Sequence, residues 1–381
     1  MLGGLLAISV VLSSGWAWAT YNSFRSSIAT VNIAGARSGK LSSGTGKDID
    51  GKDENILVTG NDSRDGATPG ELAEMSTQQN GGGINTDTMM ILHVPADGSK
   101  ATVISFPRDT YVQIPGHQAD KLNAAYHDGL NDTRGDPSGG AKLLIQTLQN
   151  LTGLSIDHYV SIGFLGFLRL SKALDGVPVN LCAAQNGSTD SDADGAGYSG
   201  INLPAGWSTI EGKQALAFVR QRHGIPGGDL GRIKRQQYFL SQAFKKMTSA
   251  GTISNPVRIQ NILHAIGSTL VMDPALAKNP LQLIQRFSDM AAGNVKFATI
   301  PNEGSTVNDV GWVFISQPGE VRGWAANLIG RRADVALSRA KSGQRVPRAS
   351  TARPTQPAPH PTAASVNSVS NAQQITKSCI S

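Results

Sequence analysis

Residues 88–106 read TMMILHVPADGSKATVISF. Two apolar runs rich in β-branched residues, Thr88–Val94 and Ala101–Phe106, flank a short connection that holds Asp97-Gly98. Asp-Gly between apolar runs is a hairpin signal, because glycine takes the positive φ that a tight turn demands. Pro107 stops the second run, since proline has no N–H to give to a ladder. The stretch predicts two buried, antiparallel strands.

Reading outward, Glu54–Gly60 (ENILVTG) is another short apolar run ending in glycine and reads as a third strand. If the three form a meander, the end of the first, the start of the second and the end of the third lie at one sheet edge. That edge would gather Asp62, Arg64, Asp87 and Arg108, with Asp109 beside them. Two carboxylates hold a magnesium ion, and the ion with the arginines neutralises a pyrophosphate. The other reading of such a set is a surface salt-bridge cluster, which stabilises little.

Helical patterns follow. Gly139–Thr152 carries Leu144, Leu148 and Leu151 at helical spacing. Residues 164–174 (FLGFLRLSKAL) are apolar on most sides, so this helix is deeply buried or lines an apolar cavity. Val177–Leu181 reads as a strand. Thr209 reads as the cap of a helix to about Phe218, and Asp229 as the cap of a helix over 230–247. Further helices are expected over 257–271, 279–292 and 324–329, with a strand over 295–300. Strands mixed with helices predict a single α/β domain with a mixed sheet over residues 51–330.

Between the two capped helices lies FVRQRH, 218–223. Read as extended chain, it points Arg220 and Arg222 to one face, and like charges there call for an anion. Arg232 and Gln236 are four residues apart on the next helix and share a face near its N-terminus. Lys234 and Arg235 read as an ordinary solvated face. Lys121 and Asn123 are candidates for a phosphate or sugar contact, or an ordinary helix start.

The ends read differently. Residues 2–19 hold no charge and are followed by Tyr21, which fits a membrane anchor or a signal-like segment over 1–20. Residues 21–50 are rich in Ser, Gly and Thr and read as a flexible linker. Residues 331–381 read as a disordered basic tail rich in Pro, Ser and Ala. Eight of the 34 basic residues and one of the 28 acidic residues lie in that tail, so the rest of the chain carries 26 bases and 27 acids. The net charge of +6 therefore belongs to the tail, and no nucleic-acid partner is indicated. The two cysteines, Cys182 and Cys379, form no zinc pattern, and nothing in their spacing singles out a disulfide.

Taken in order, the uncharged start, GNDSR (60–64), TDTMM (86–90), SFPRD (105–109), KLNAAY (121–126), DHYV (157–160), LDGV (174–177), AFVRQR (217–222) and DLGRIKRQQ (229–237) resemble the LytR-CpsA-Psr family. The resemblance spans about residues 54–247. It implies an α-β-α sandwich with a central mixed β-sheet behind an N-terminal, single-pass membrane anchor, with the catalytic domain outside the cytoplasm. It also implies a magnesium-dependent phosphotransferase. Such an enzyme moves a glycopolymer from a polyprenyl-pyrophosphate carrier to peptidoglycan and leaves a phosphodiester. By motif position, Asp62 and Asp87 would hold Mg2+, and Arg108, Arg220, Arg222 and Arg232 would clamp the phosphates with Gln236 beside them. Arg64 and Lys121 extend the pyrophosphate set. Asp87 or Asp109 would assist deprotonation of the acceptor, and residues 159–174, with Phe164, Phe167 and Leu168, would contribute to a lipid pocket. Asn85 stands where the family often has arginine. The alternatives are a polyprenyl-pyrophosphate binding or regulatory protein, and a pyrophosphatase acting on lipid-linked intermediates.

Overall fold

A computed structural model of the chain describes residue 15 and residues 18–36, 53–75, 86–96, 99–182, 203, 205–221, 228–247, 249–278, 295–329 and 379–380. The expected helix 279–292, the Asp97-Gly98 turn, Asn85, Arg222, most of the segment before residue 18 and most of the tail fall outside the described residues.

The two predicted antiparallel strands lie inside a seven-stranded sheet. In chain order its strands are β1 (Ala29–Thr30), β2 (Glu54–Asn61), β3 (Thr86–Val94) and β4 (Ala101–Phe106), then β7 (His158–Gly163), β10 (Leu270–Met272) and β11 (Val295–Thr299). Strands β5 (Tyr111–Gln113) and β6 (Ala119–Lys121) form a separate hairpin. After them come β7 (His158–Gly163), β8 (Val177–Leu181), β9 (Gly206–Ile210), β10 (Leu270–Met272) and β11 (Val295–Thr299). Last come β12 (Ser305–Asn308) and β13 (Gly311–Phe314). The sheet order is β1-β10-β7-β2-β3-β4-β11. Pairs β2/β3 and β3/β4 are antiparallel, as the meander requires, whereas β2/β7 and β4/β11 are parallel, so the sheet is mixed.

The helices are α1 (Pro69–Glu74), α2 (Ala124–Asp132), α3 (Pro137–Thr152), α4 (Phe164–Ala173), α5 (Gly212–Arg220), α6 (Gly228–Met247), α7 (Ala250–Ile253), α8 (Pro256–Gly267), α9 (Pro274–Lys278) and α10 (Pro318–Leu328). Side chains alternate across a strand, so a sheet covered on both faces needs apolar residues at every position. Leu57, Met89, Ile91 and Ile104 pack with α2 and α3, while Ile56, Met90, Leu92 and Val103 pack with Phe24 and Phe244 on the other face. A further cluster joins α1, α4, α5 and α6 to the β8/β9 pair.

Several expectations are corrected. The linker reading fails for residues 21–36. Residues 18–27 are helical, β1 joins the main sheet, and Phe24, Val31, Ile33 and Ala36 are buried. Strand β7, paired to both β2 and β10, was not anticipated. It runs into α4 at Phe164 with no polar loop between, so the apolar run hides the boundary. Thr209 is a strand residue of β9, and Glu211 stands at the cap of α5. The helix placed over 257–271 ends at Gly267 because the next residues form β10. The last helix begins earlier than residue 324, at Pro318, whose ring suits a first helical turn. Cys182 and Cys379 are joined in a disulfide, and Ile380 lies alongside β8, exchanging backbone bonds with Asn180 and Cys182. Those two tail residues are thereby part of the fold.

Candidate functional site

The register Asn61↔Thr86 places Asp62 one residue beyond β2 and Asp87 one residue into β3, at the same sheet edge. The turn after β2 is pinned. Asn61 Nδ2 donates to Ser161 Oγ of β7 at 3.0 Å, and its Oδ1 accepts from the Ser63 amide at 3.0 Å. Asp62 and Arg64 are half-buried on this turn. Gly163 closes the approach from below. A Cβ there would stand 2.8 Å from the Ser63 carbonyl oxygen, so no larger residue fits without moving the turn.

Arg108 follows β4 and is the hub. Its Nη1 donates to Asp87 Oδ1 at 2.7 Å, and its Nε lies 3.5 Å from Asp109 Oδ2. Lys121 of β6 brings Nζ to 3.2 Å from Asp109 Oδ1. Burial works against the Arg108 charge, but Asp87, Asp109 and Asp229 outweigh it and hold the guanidinium above its usual range.

Asp229, expected as the cap, is instead the second residue of helix α6, which starts at Gly228, and it ties this edge to the arginine-rich segment. Its Oδ1 lies 2.8 Å from Nη2 of Arg232, whose side chain is buried. The helix is moored to the sheet one turn later, where Gln237 Nε2 donates to Ser105 Oγ at 2.8 Å, three residues before Arg108. Gln237 is buried on α6, and its amide bonds inside the core. Gln236 Nε2 donates to the Val219 carbonyl at 3.2 Å, linking α6 to the end of α5.

The predicted extended arm is shorter than expected. Arg220 is the last residue of α5, exposed, with its guanidinium 4.8 Å over the Phe164 ring, and only at Gln221 does the backbone become extended. Arg235 corrects the solvated-face reading. It is buried, stacks 4.8 Å from the Phe218 ring centroid and donates from Nη1 to Gln221 Oε1 at 2.5 Å. Burial pulls its pKa down to about 10. Of the lipid-pocket candidates, Leu168 is fully buried, Phe167 lies 4.9 Å from the Phe239 ring, and Phe164 supports Arg220.

Among the described residues no three His, Cys, Asp or Glu side chains cluster as a metal cage. A magnesium ion does not need one, since it keeps waters and takes one or two carboxylates plus substrate phosphates. Asp62 and Asp87, side by side at the edge, fit that donor set. Arg108 engages one oxygen of Asp87, and the carboxylate has a second.

The fold is thus an α/β domain with a mixed sheet, whose edge gathers arginine, lysine and aspartate next to the N-terminus of α6. The chain belongs to the LytR_cpsA_psr family, whose sequence model matches residues 21–326. It is 35% identical over 301 residues to the cell wall biosynthesis protein LcpA of Corynebacterium glutamicum, covering 72% of this chain and 56% of that protein. This chain thus spans little more than half of LcpA. It is 31% identical over 325 residues to the polyisoprenyl-teichoic acid–peptidoglycan teichoic acid transferase TagU of Oceanobacillus iheyensis, covering 84% of this chain and 90% of TagU. The solved structure of TagT bound to LIIa-WTA superposes with a TM-score of 0.52 at 22% identity, over 74% of this chain and 91% of TagT, a likeness of fold.

Proposed function

We propose that the protein is a phosphotransferase that moves a glycopolymer from a polyprenyl-pyrophosphate carrier to peptidoglycan, forming a phosphodiester. The observation that carries this reading is the convergence of Arg108, Lys121 and Arg232, each held by an aspartate, at one sheet edge beside the start of α6. Fixed cations cost no reorganisation when negative charge develops on a transferring phosphoryl group. The naming of TagU for such a transfer supports the substrate class.

In this reading Arg108, Arg220 and Arg232, with Arg64, Lys121, Arg222 and Gln236, bind the pyrophosphate. Asp87 and Asp109 fix the Arg108 fork from two sides, so the guanidinium is oriented before substrate arrives. An acceptor hydroxyl attacks the sugar-linked phosphorus, its proton passes to Asp87 or Asp109, and prenyl phosphate leaves. Asp62 and Asp87 would hold Mg2+, which when bound neutralises phosphate charge. The prenyl chain would lie against the apolar face near Phe164 and Phe167.

We place the domain outside the cytoplasm, behind a single-pass anchor within residues 1–20. The Cys182–Cys379 disulfide supports an oxidising compartment. Among the described residues no helix is long and apolar enough to cross a membrane.

The test uses the full chain with a prenyl-pyrophosphate-linked sugar, magnesium and a peptidoglycan fragment, read by mass spectrometry. Sugar-phosphate joined to the fragment, and lost in Arg108→Ala, is the expected result. Prenyl phosphate released without joining would mark a pyrophosphatase. Tightly bound, unchanged lipid would mark a binding protein.

A further inference from the structure

Large apolar side chains exposed on the described surface are few, and two of them face each other. Val307 is 58% and Trp312 66% exposed, and they are directly paired across the β12/β13 hairpin. Val313, the residue after Trp312, is 1% exposed and anchors the hairpin from its inner face. By strand alternation Trp312 and Phe314 share the outer face, with Val307 and Ser305 opposite them. Packing of the hairpin does not need the Trp312 ring.

The hairpin adjoins the phosphate site. The Phe314 amide donates to the Asp109 carbonyl at 2.9 Å, and Thr110 forms a β-bridge with Phe314. Lys121 Nζ lies 3.9 Å from where a Cβ on Gly311 would stand. Trp312 is two residues from Phe314, so its backbone lies about 7 Å along the strand from the Asp109 contact. Gly311 and Trp312 are consecutive and face opposite sides of the hairpin, so a molecule resting on this ring reaches the Asp109–Lys121 end of the site around the hairpin edge.

Charge selects the occupant. Residues 301–320 contain Glu303, Asp309 and Glu320 and no Lys, Arg or His. Such a surface repels an anionic bilayer or a polyanionic polymer. It suits an uncharged sugar, whose C–H face lies on an aromatic plane while its hydroxyls and amides meet a polar neighbour such as Ser305 on the same face. Arginines take the phosphate half of the reaction, and this hairpin offers what a neutral half needs.

We propose that Trp312, with Val307, is the platform on which the neutral glycan of the acceptor stacks, holding its hydroxyl beside Asp109 and Lys121. This rests on the transfer reading above. It is tested by binding, apart from turnover. Full-length wild type, Trp312→Ala, Trp312→Phe and Val307→Ser are titrated with uncharged N-acetylglucosamine oligosaccharides, with a polyprenyl pyrophosphate and with anionic phospholipid vesicles. Trp312→Ala is expected to weaken oligosaccharide binding by about tenfold, the scale of removing one central aromatic anchor. Trp312→Phe should retain most of it, Val307→Ser should lose part, and pyrophosphate affinity should not change. Unchanged oligosaccharide affinity in Trp312→Ala, no oligosaccharide binding by wild type, or a loss confined to vesicles would overturn the platform. Oligosaccharide binding that depends on Trp312 without any joined product would keep the platform and sink the transfer reading instead.

Discussion

Arg108 reaches across the β3/β4 hairpin to Asp87, with Nη1 2.7 Å from Oδ1. The two residues are 21 apart in sequence, and the meander alone brings them together. Both side chains keep some solvent contact, 21% and 29% exposed, so the pair lies between a wet surface bridge and a buried one. Arg108→Ala should cost about 1–3 kcal/mol of stability. Transfer activity should fall far more, about 10²- to 10³-fold, as when a preorganised donor is removed from an oxyanion site. Arg108→Lys should keep most of the stability but recover little activity, since an ammonium lacks the fork that spans Asp87 and Asp109. Denaturant melts beside rate measurements check this; activity falling only in proportion to stability would make Arg108 structural.

The meander was legible because its signals are local: short apolar runs, an Asp-Gly pair between two of them and a terminal proline. It carried Asp62, Asp87 and Arg108 to one edge with no knowledge of the other strands. What was illegible depended on distance. Strand β7 has no turn before α4, so its run merged with the helix. Arg235 lies on the polar-looking side of α6, yet α5 packs over it and its guanidinium stacks on Phe218. Which side of a helix a neighbour covers is a tertiary fact that helical periodicity does not contain. The disulfide was illegible for the same reason, as its cysteines are 197 residues apart.

Gly163 offers a sharper probe of the turn that carries Asp62, a proposed magnesium ligand. A methyl group there would meet the Ser63 carbonyl at 2.8 Å and Asn61 Oδ1 at 3.2 Å. Gly163 itself sits in ordinary extended backbone, φ −83° and ψ 171°, so alanine brings no dihedral strain and acts only by pushing the 61–64 turn. Gly163→Ala should therefore cost about 1–3 kcal/mol, the range for overpacking. It should raise the magnesium concentration needed for half-maximal transfer more than it alters donor affinity. An unchanged magnesium dependence would mean that this turn does not position Asp62.

The Cys182–Cys379 bond joins cysteines 197 residues apart and fastens Ile380 against the third core cluster. Constraining so long a loop in the unfolded chain is worth about 2–5 kcal/mol. Reduction, or Cys379→Ser, should lower the melting temperature, and reductant should then have no further effect on the variant. Because the bond lies at β8 rather than at Arg108, the affinity for polyprenyl pyrophosphate below the melt should be unaltered. A melt insensitive to reductant would show that the tail contact contributes nothing to the fold.

Glu71 allows the electrostatics to be read through pH. Its carboxylate receives Arg169 Nε at 2.7 Å and Nη2 at 3.1 Å, and closes a capping box with Thr68 at the start of α1. The Arg169 hydrogen bond is the main cause that brings its pKa down to about 2, against the opposing effect of burial, with the Thr68 bonds adding to the shift. A carboxyl depressed in the folded state contributes stability that is complete above its unfolded pKa and lost as pH falls through the folded one. The melting-temperature advantage of wild type over Glu71→Gln should thus be constant near neutrality, shrink below the ordinary glutamate range and vanish towards pH 2. The variant keeps the shape and one acceptor oxygen, so the pH-dependent part isolates the charge on α1 that holds α4 in place. An advantage that stays constant down to the acid end would mean that Arg169 packs against Glu71 without stabilising its ionised form.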